Sequence, residues 1–160
     1  MMKKITCFFL LAILILNLFS TIPAYALTGS DICLDNECKT IEILENGDYL
    51  ETTLIIKDLD LKSSTKTGSK TKSYKNSSGV TLWSVTVHGT FSYTGTSSTC
   101  TNATRSTSAP GANWSIKSSS AGKSGNTATA HATATYRDGS YTTDYSMSVS
   151  LKCSANGTLS

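Results

Sequence analysis

The sequence predicts an all-β protein, an antiparallel β-sandwich of immunoglobulin-like type that follows an N-terminal signal helix. Three observations carry that expectation. Apolar and polar residues alternate with a period of two through long stretches of the C-terminal half. Turn-forming pairs such as Asn46-Gly47 and Asp138-Gly139 separate those stretches. No stretch after the first 26 residues reads as a convincing helix. About eight short strands with Gly, Ser and Asn turns fit a sandwich of this kind.

The N-terminus reads as an export signal. Lys3 and Lys4 precede an apolar run over 5–19, and Ala24-Tyr25-Ala26 follows Pro23 as a small-residue cleavage site. A permanent anchor is disfavoured because the run is short and Asn17 interrupts it. Ser30-Asp31-Ile32 before Cys33 does not fit a lipoprotein box. Residues 1–26 are therefore expected to be a signal peptide, and the protein secreted, extracellular or cell-wall associated, with no stable membrane anchor after cleavage. The remaining 134 residues suffice for one domain with a modest core.

Charge divides that remainder. The whole chain carries +3, and loss of Lys3 and Lys4 leaves +1. Residues 31–60 are net −7, whereas 61–160 are net +8. The division is read as an acidic N-terminal hairpin segment over 27–62 and a β-sandwich domain over 63–160. The basic body would suit anionic surfaces such as cell-wall polymers. Export and the small mature charge disfavour nucleic acid.

In chain order, residues 41–44 and 49–56 read as a hairpin about Asn46-Gly47. The run "KSSTKTGSKTKSYKNSSG" is read as partly a linker, its lysines guarding a solvated sheet edge. Strands over 70–74 and 80–93 flank the turn in "KNSSG", and Trp114-Ser115-Ile116 forms a short strand. Trp83, Val85, Val87, Phe91 and Tyr93 share one parity. A turn at Thr94-Gly95 then sets Gly89 opposite Cys100, with room for the thiol to point inward. In "TATAHATATYRDGSYTTDYSMSVSLKC" the alanines from 128 to 134 share a face with Tyr136. Folding about Asp138-Gly139 places Tyr136 opposite Tyr141, Ala132 opposite Tyr145 and Ala130 opposite Met147, with Tyr141 and Tyr145, like Trp83, expected to pack in the core. A slip by one residue would bury hydroxyls, so the alternation specifies the face.

Cys7 leaves with the signal, and an even set of Cys33, Cys38, Cys100 and Cys153 remains for an oxidising compartment. Cys153 shares the inward parity of Leu151, which makes a Cys100–Cys153 disulfide the expected bridge across the core. Cys33 and Cys38 are expected to close a small local loop. A metal half-site is disfavoured for want of a second ligand pair.

The segments "YKNSSGVTLWSVTVHGTFSYTG", "STCT", "KSGNTATA" and "SLKCSANGTLS" resemble those of uncharacterised small secreted proteins of Gram-positive bacteria. The resemblance covers most of the mature chain and implies secretion and a Cys-bridged β domain. It brings no catalytic residues.

Candidate chemistry is sparse. His131, Ser146 and Asp144 fall near one another in the expected register, but a flat strand face offers no pocket and no oxyanion hole. Thr127, Thr129, Thr133 and Thr135 form a row suited to an ordered lattice, interrupted by His131. Trp114, beside the loop "APGAN", is the aromatic side chain expected to contact a ligand. No catalytic residue, metal or cofactor is expected. The expected function is a non-catalytic extracellular binding or interaction module for a partner such as a cell-wall polymer or glycan. A secreted antagonistic factor ranks second and a hydrolase third.

Overall fold

In the computed structural model, residues 32–34, 36–57 and 64–160 are described. The expected signal peptide over 1–26 lies outside them. The described chain forms β1 (Ile32–Leu34), β2 (Glu37–Ile43), β3 (Tyr49–Ile56), β4 (Thr65–Lys75), β5 (Thr81–Tyr93), β6 (Ser98–Ser108), β7 (Trp114–Ser124), β8 (Thr127–Asp138) and β9 (Tyr141–Lys152). These make a six-stranded antiparallel sheet, β1 to β6 in order, and a three-stranded sheet, β7 to β9 in order. The protein is all-β over these residues, and the two sheets share one core.

Every strand pairs only with its neighbours in sequence, so each sheet is a meander. The immunoglobulin arrangement instead interleaves strands through Greek-key connections. The observed strand order differs because tight turns return the chain to the strand it has just left. One of them spans Leu44 to Asp48, closed by the Leu44 N–H donating to the Asp48 carbonyl at 2.8 Å.

From Thr65 to Lys75 the lysine-rich run is an inner strand of the sheet, neither a linker nor an edge. That stretch is β4, paired with β5 along its length and with β3 from Gly68 to Lys75. Polar residues on both parities hid this strand from a search for apolar alternation. Through β4 the acidic hairpin β2–β3 is hydrogen-bonded into the same sheet as β5 and β6.

Both C-terminal hairpins keep the expected faces but shift by two residues. Cys100 pairs with Phe91 rather than Gly89, and Gly89 faces Ala103. The chain turns over Thr94 to Ser97, and the register slips at a bulge beside Thr90 and Phe91. In β8–β9, Asp138 pairs with Tyr141, so Tyr145, Met147 and Val149 stand opposite Ala134, Ala132 and Ala130. The turn residues are Gly139 and Ser140, with Gly139 at φ 58°. Burial fixes only the parity of a strand, whereas turn length fixes its register.

The core follows those faces. Trp83, Val85, Val87 and Phe91 of β5 are at most 1% exposed, and Ala128 to Leu151 supply the opposing layer from β8 and β9. Four alanines of β8 lie at 0–3% exposure and hold the layers close enough for the larger β5 side chains to fill the space between. Tyr141, expected inside, is exposed.

The expected Cys100–Cys153 bridge is not formed, and both residues are buried free thiols. With Cys100 moved to the position opposite Phe91, its Sγ donates to the Asn102 carbonyl at 3.2 Å. The Cys153 thiol donates to the Ser154 carbonyl at 3.4 Å. Cys38, by contrast, is disulfide-bonded, and Cys33 is its backbone partner across the β1–β2 ladder.

Burial pushes the Cys100 and Cys153 thiols up from the ordinary range, with Lys123 and Lys66 respectively pulling the other way. Unfolded thiols would therefore ionise first. The stability these groups contribute is intact below the ordinary thiol range and declines as pH climbs through the raised folded values. The folded protein is expected to resist iodoacetamide at about pH 8 and to gain two adducts, at these positions, only when denatured. Rapid labelling of the native protein would contradict this burial.

Candidate binding trough

The smaller sheet covers only part of the larger one. β8 and β9 lie over β5, β9 also approaches β4, and β7 adjoins β6. No such contact covers β2 or β3, so the inner face of those strands runs out beside the edge of β9. Lateral partners share a face. Trp83, Tyr74 and Leu50 therefore form one inner row, and Val87, Lys70, Leu54 and Cys38 another. Thr52 and Lys72 lie between them.

β9 forms the wall of this trough. Lys152 and Ser160 exchange both backbone hydrogen bonds at 2.9 Å, so residues beyond β9 begin to pair with its outer edge. By strand alternation the backbone groups of Ser146, Ser148 and Ser150 face the same way. No strand pairs with them among the described residues.

Two grooves lie along the trough. The first, of about 440 Å³, is lined by aromatic residues Tyr74, Trp83 and Tyr145, with Leu50, Met147 and Asn46. The second, of about 250 Å³, is lined by Thr52, Leu54, Lys70 and Leu159 among others. Leu50, Thr52 and Leu54 succeed one another along the same face of β3, carrying the floor from the first groove to the second.

The aromatic groove is built on a ring cluster. The Trp114 centroid lies 5.0 Å from Tyr145, 5.2 Å from Tyr136 and 5.6 Å from Tyr74, with Trp83 stacked at 6.4 Å. Trp114, singled out from sequence, is half-buried in the middle of this cluster and is not among the groove-lining side chains. Tyr145, 39% exposed, presents the accessible ring. Trp83 is 1% exposed, and its indole Nε1 is a buried donor with no hydrogen-bond partner among the described residues. A buried N–H without an acceptor is costly, and this one is closed off from the groove by its burial.

Polar groups fix the rim. The Tyr74 hydroxyl donates to Asp48 Oδ2 at 2.5 Å, and Asn46 Nδ2 donates to the carboxylate at 3.0 Å. Burial, followed by the Asp48 contact, raises the Tyr74 phenol above its ordinary value. This ties the end of β4 to the β2–β3 turn and holds the ring in place.

At the other end stand Lys70 and Lys72, both half-buried. Neither has an ion-pair or hydrogen-bond partner among the described residues. These lysines, and the trough itself, were missed from sequence. The available signal was their shared parity with Tyr74 inside a run of alternating Thr and Ser.

The residues weighed for catalysis do not assemble. His131 is exposed and pairs with Ser148, whereas the Ser146 hydroxyl meets Thr133 Oγ1 at 2.9 Å. Asp144 accepts from Lys117 Nζ at 2.5 Å and from Thr135 Oγ1 at 2.6 Å. The Lys117 hydrogen bond, then that from Thr135, holds its carboxyl below the usual range. His88 meets Ser106 Oγ at 3.0 Å, and burial followed by Lys57 lowers its pKa. The threonine row is partly occupied with its neighbours, since Thr129 Oγ1 meets Ser150 Oγ at 3.0 Å. Among the described residues, no group of three or more His, Cys, Asp or Glu could hold a metal, and no helix is long and apolar enough to cross a membrane.

No protein-family model matches the chain, and no curated protein and no solved structure shows significant similarity to it.

Proposed function

We propose that the protein is exported and acts outside the cell as a non-catalytic binding module, its ligand seated in the aromatic groove of the trough. The reading rests above all on the accessible Tyr145 ring, which lines the groove together with Tyr74, Leu50 and Met147. An open, mostly apolar groove with a few polar groups is the usual form of a ligand seat. A glycan of the cell wall suits this one. The apolar face of a sugar ring can lie on Tyr145, and Asn46 offers polar contact at the rim.

Trp114 supports the site from behind. Its contacts with Tyr74, Tyr136 and Tyr145 hold the accessible ring in one orientation, so that less freedom is lost on binding.

The test is titration of the protein with solubilised cell-wall polysaccharide, read by the fluorescence of Trp83 and Trp114. Tyr145→Ala should weaken binding by about tenfold or more, as expected for an aromatic anchor, with the melting temperature little changed. Equal binding by wild type and variant would remove the groove from consideration.

A further inference from the structure

The trough continues past the aromatic groove to a cationic end, and that continuation bears on what it binds. Lys70 and Lys72 alternate on the inner face of β4, in the rows of Leu54 and Thr52. Both residues are half-buried, and neither has an ion-pair partner among the described residues, so their charge is open to an anion. Lys75 differs: on the outer face of β4, it meets Glu51 at 2.8 Å with both side chains under 20% exposed. An ion pair is thus available to a β4 lysine where an acid is near, and among the described residues none pairs with Lys70 or Lys72.

The side-chain carboxylates of the trough sit at the opposite end, whereas Ser160, whose carbonyl accepts from the Lys152 N–H, lines the groove of Lys70. Glu45 lines the aromatic groove, Asp48 is bonded to Tyr74 at its rim, and Glu42 occupies the row of Leu50 and Tyr74. Side-chain charge therefore changes sign along the floor. Tyr74 and Lys70 are four residues apart on the same face of β4, a separation of roughly 13 Å at the rise of a strand.

We infer that the trough takes a linear anionic polymer, a neutral ring against Tyr145 and an anionic group of the same chain at Lys70 and Lys72. The inference rests on the trough being the ligand seat and names the ligand class. Phosphate and carboxylate share the required chemistry. A single sugar is too short to reach both ends, whereas a chain with recurring charge satisfies both from one molecule. Thr52, in the second groove beside Leu54, adds a hydroxyl on the path.

The test uses three polymers of matched length, a polyol phosphate, a polyuronate and a neutral glucan, with poly-glutamate as a fourth probe. Affinity is followed by tryptophan fluorescence as salt is raised. The polyol phosphate, the polyuronate or both should bind more tightly than the glucan, and binding should weaken with salt. Preference between them identifies the anion. Lys70→Gln with Lys72→Gln should weaken the charged polymers by about tenfold or more while sparing the glucan. Lys70→Arg with Lys72→Arg should bind as wild type, which separates lost charge from lost folding; melting temperatures and near-ultraviolet circular dichroism check each variant. Equal binding of all three polymers, unaffected by the glutamine variant, would overturn the anionic assignment and leave the aromatic groove standing as a glycan seat. Binding of poly-glutamate alone would overturn it in favour of an acidic peptide added to the free edge of β9. Failure of every probe would overturn the binding function as well.

Discussion

Phe91→Ala should destabilise the protein by about 3–5 kcal/mol, the cost of deleting a fully buried aromatic ring. Phe91 is 0% exposed, and its ring lies across Gly89, two residues back on the same face of β5. A Cβ at Gly89 would lie 2.6 Å from one ring atom and 2.7 Å from the next, with Leu151 at 3.2 Å. The glycine is thus the recess that receives the ring, so the alanine variant opens a cavity at the centre of the two sheets. Urea unfolding measures the change. A loss below about 1 kcal/mol would mean that the surrounding side chains collapse into the cavity. Gly89→Ala should also destabilise, and its penalty should shrink in a Phe91→Leu background, because the clash is with the ring.

Ala130→Leu should have the opposite structural cause and a cost of about 1–3 kcal/mol or more. Ala130 is 0% exposed and sits between Ala121 and Val149 on the inner face of the smaller sheet. The added carbons have no recess to enter, so either the sheets separate or the β5 side chains leave their rotamers. Thr133→Ala on the outer face of β8 is the control, expected within about 0.5 kcal/mol of wild type. Similar thermal shifts in the two variants would refute the view that small side chains set the spacing between sheets.

The alternation of β5, β8 and β9 made the inner faces legible because a one-residue slip exchanges buried and solvated sets. A two-residue shift leaves both sets in place, so the pattern could not distinguish Cys100 opposite Gly89 from Cys100 opposite Phe91. That ambiguity underlies the expectation of a bridge. It also placed Tyr141 and Tyr145 too deep, since the observed register extends β8 to Asp138 and carries Tyr141 to the exposed end of the hairpin.

The trough was illegible for a different reason. β4 has lysines, Tyr74 and a glycine on its inner parity, and serines and threonines on the other, so neither face reads as apolar. Its place between β3 and β5 is set by pairing with their backbones. The meander order was equally hidden, because short turns permit it but do not exclude sheets that exchange strands. Trp114 was visible as an isolated aromatic residue; the four rings around it come from β4, β5, β8 and β9 and meet only in the folded protein.

The meander has a kinetic consequence. Each ladder joins strands adjacent in sequence, so its formation requires closing a turn and then adding neighbouring residues, with little entropy lost to long loops. The nine strands can zip hairpin by hairpin in chain order. Only the meeting of the two finished sheets demands distant contacts, and the alanine layer of β8 makes that late step sensitive to side-chain size. The return of Leu159 to Cys153 and of Ser160 to Lys152 comes after β9 is complete, so it would act as a latch on a fold already assembled.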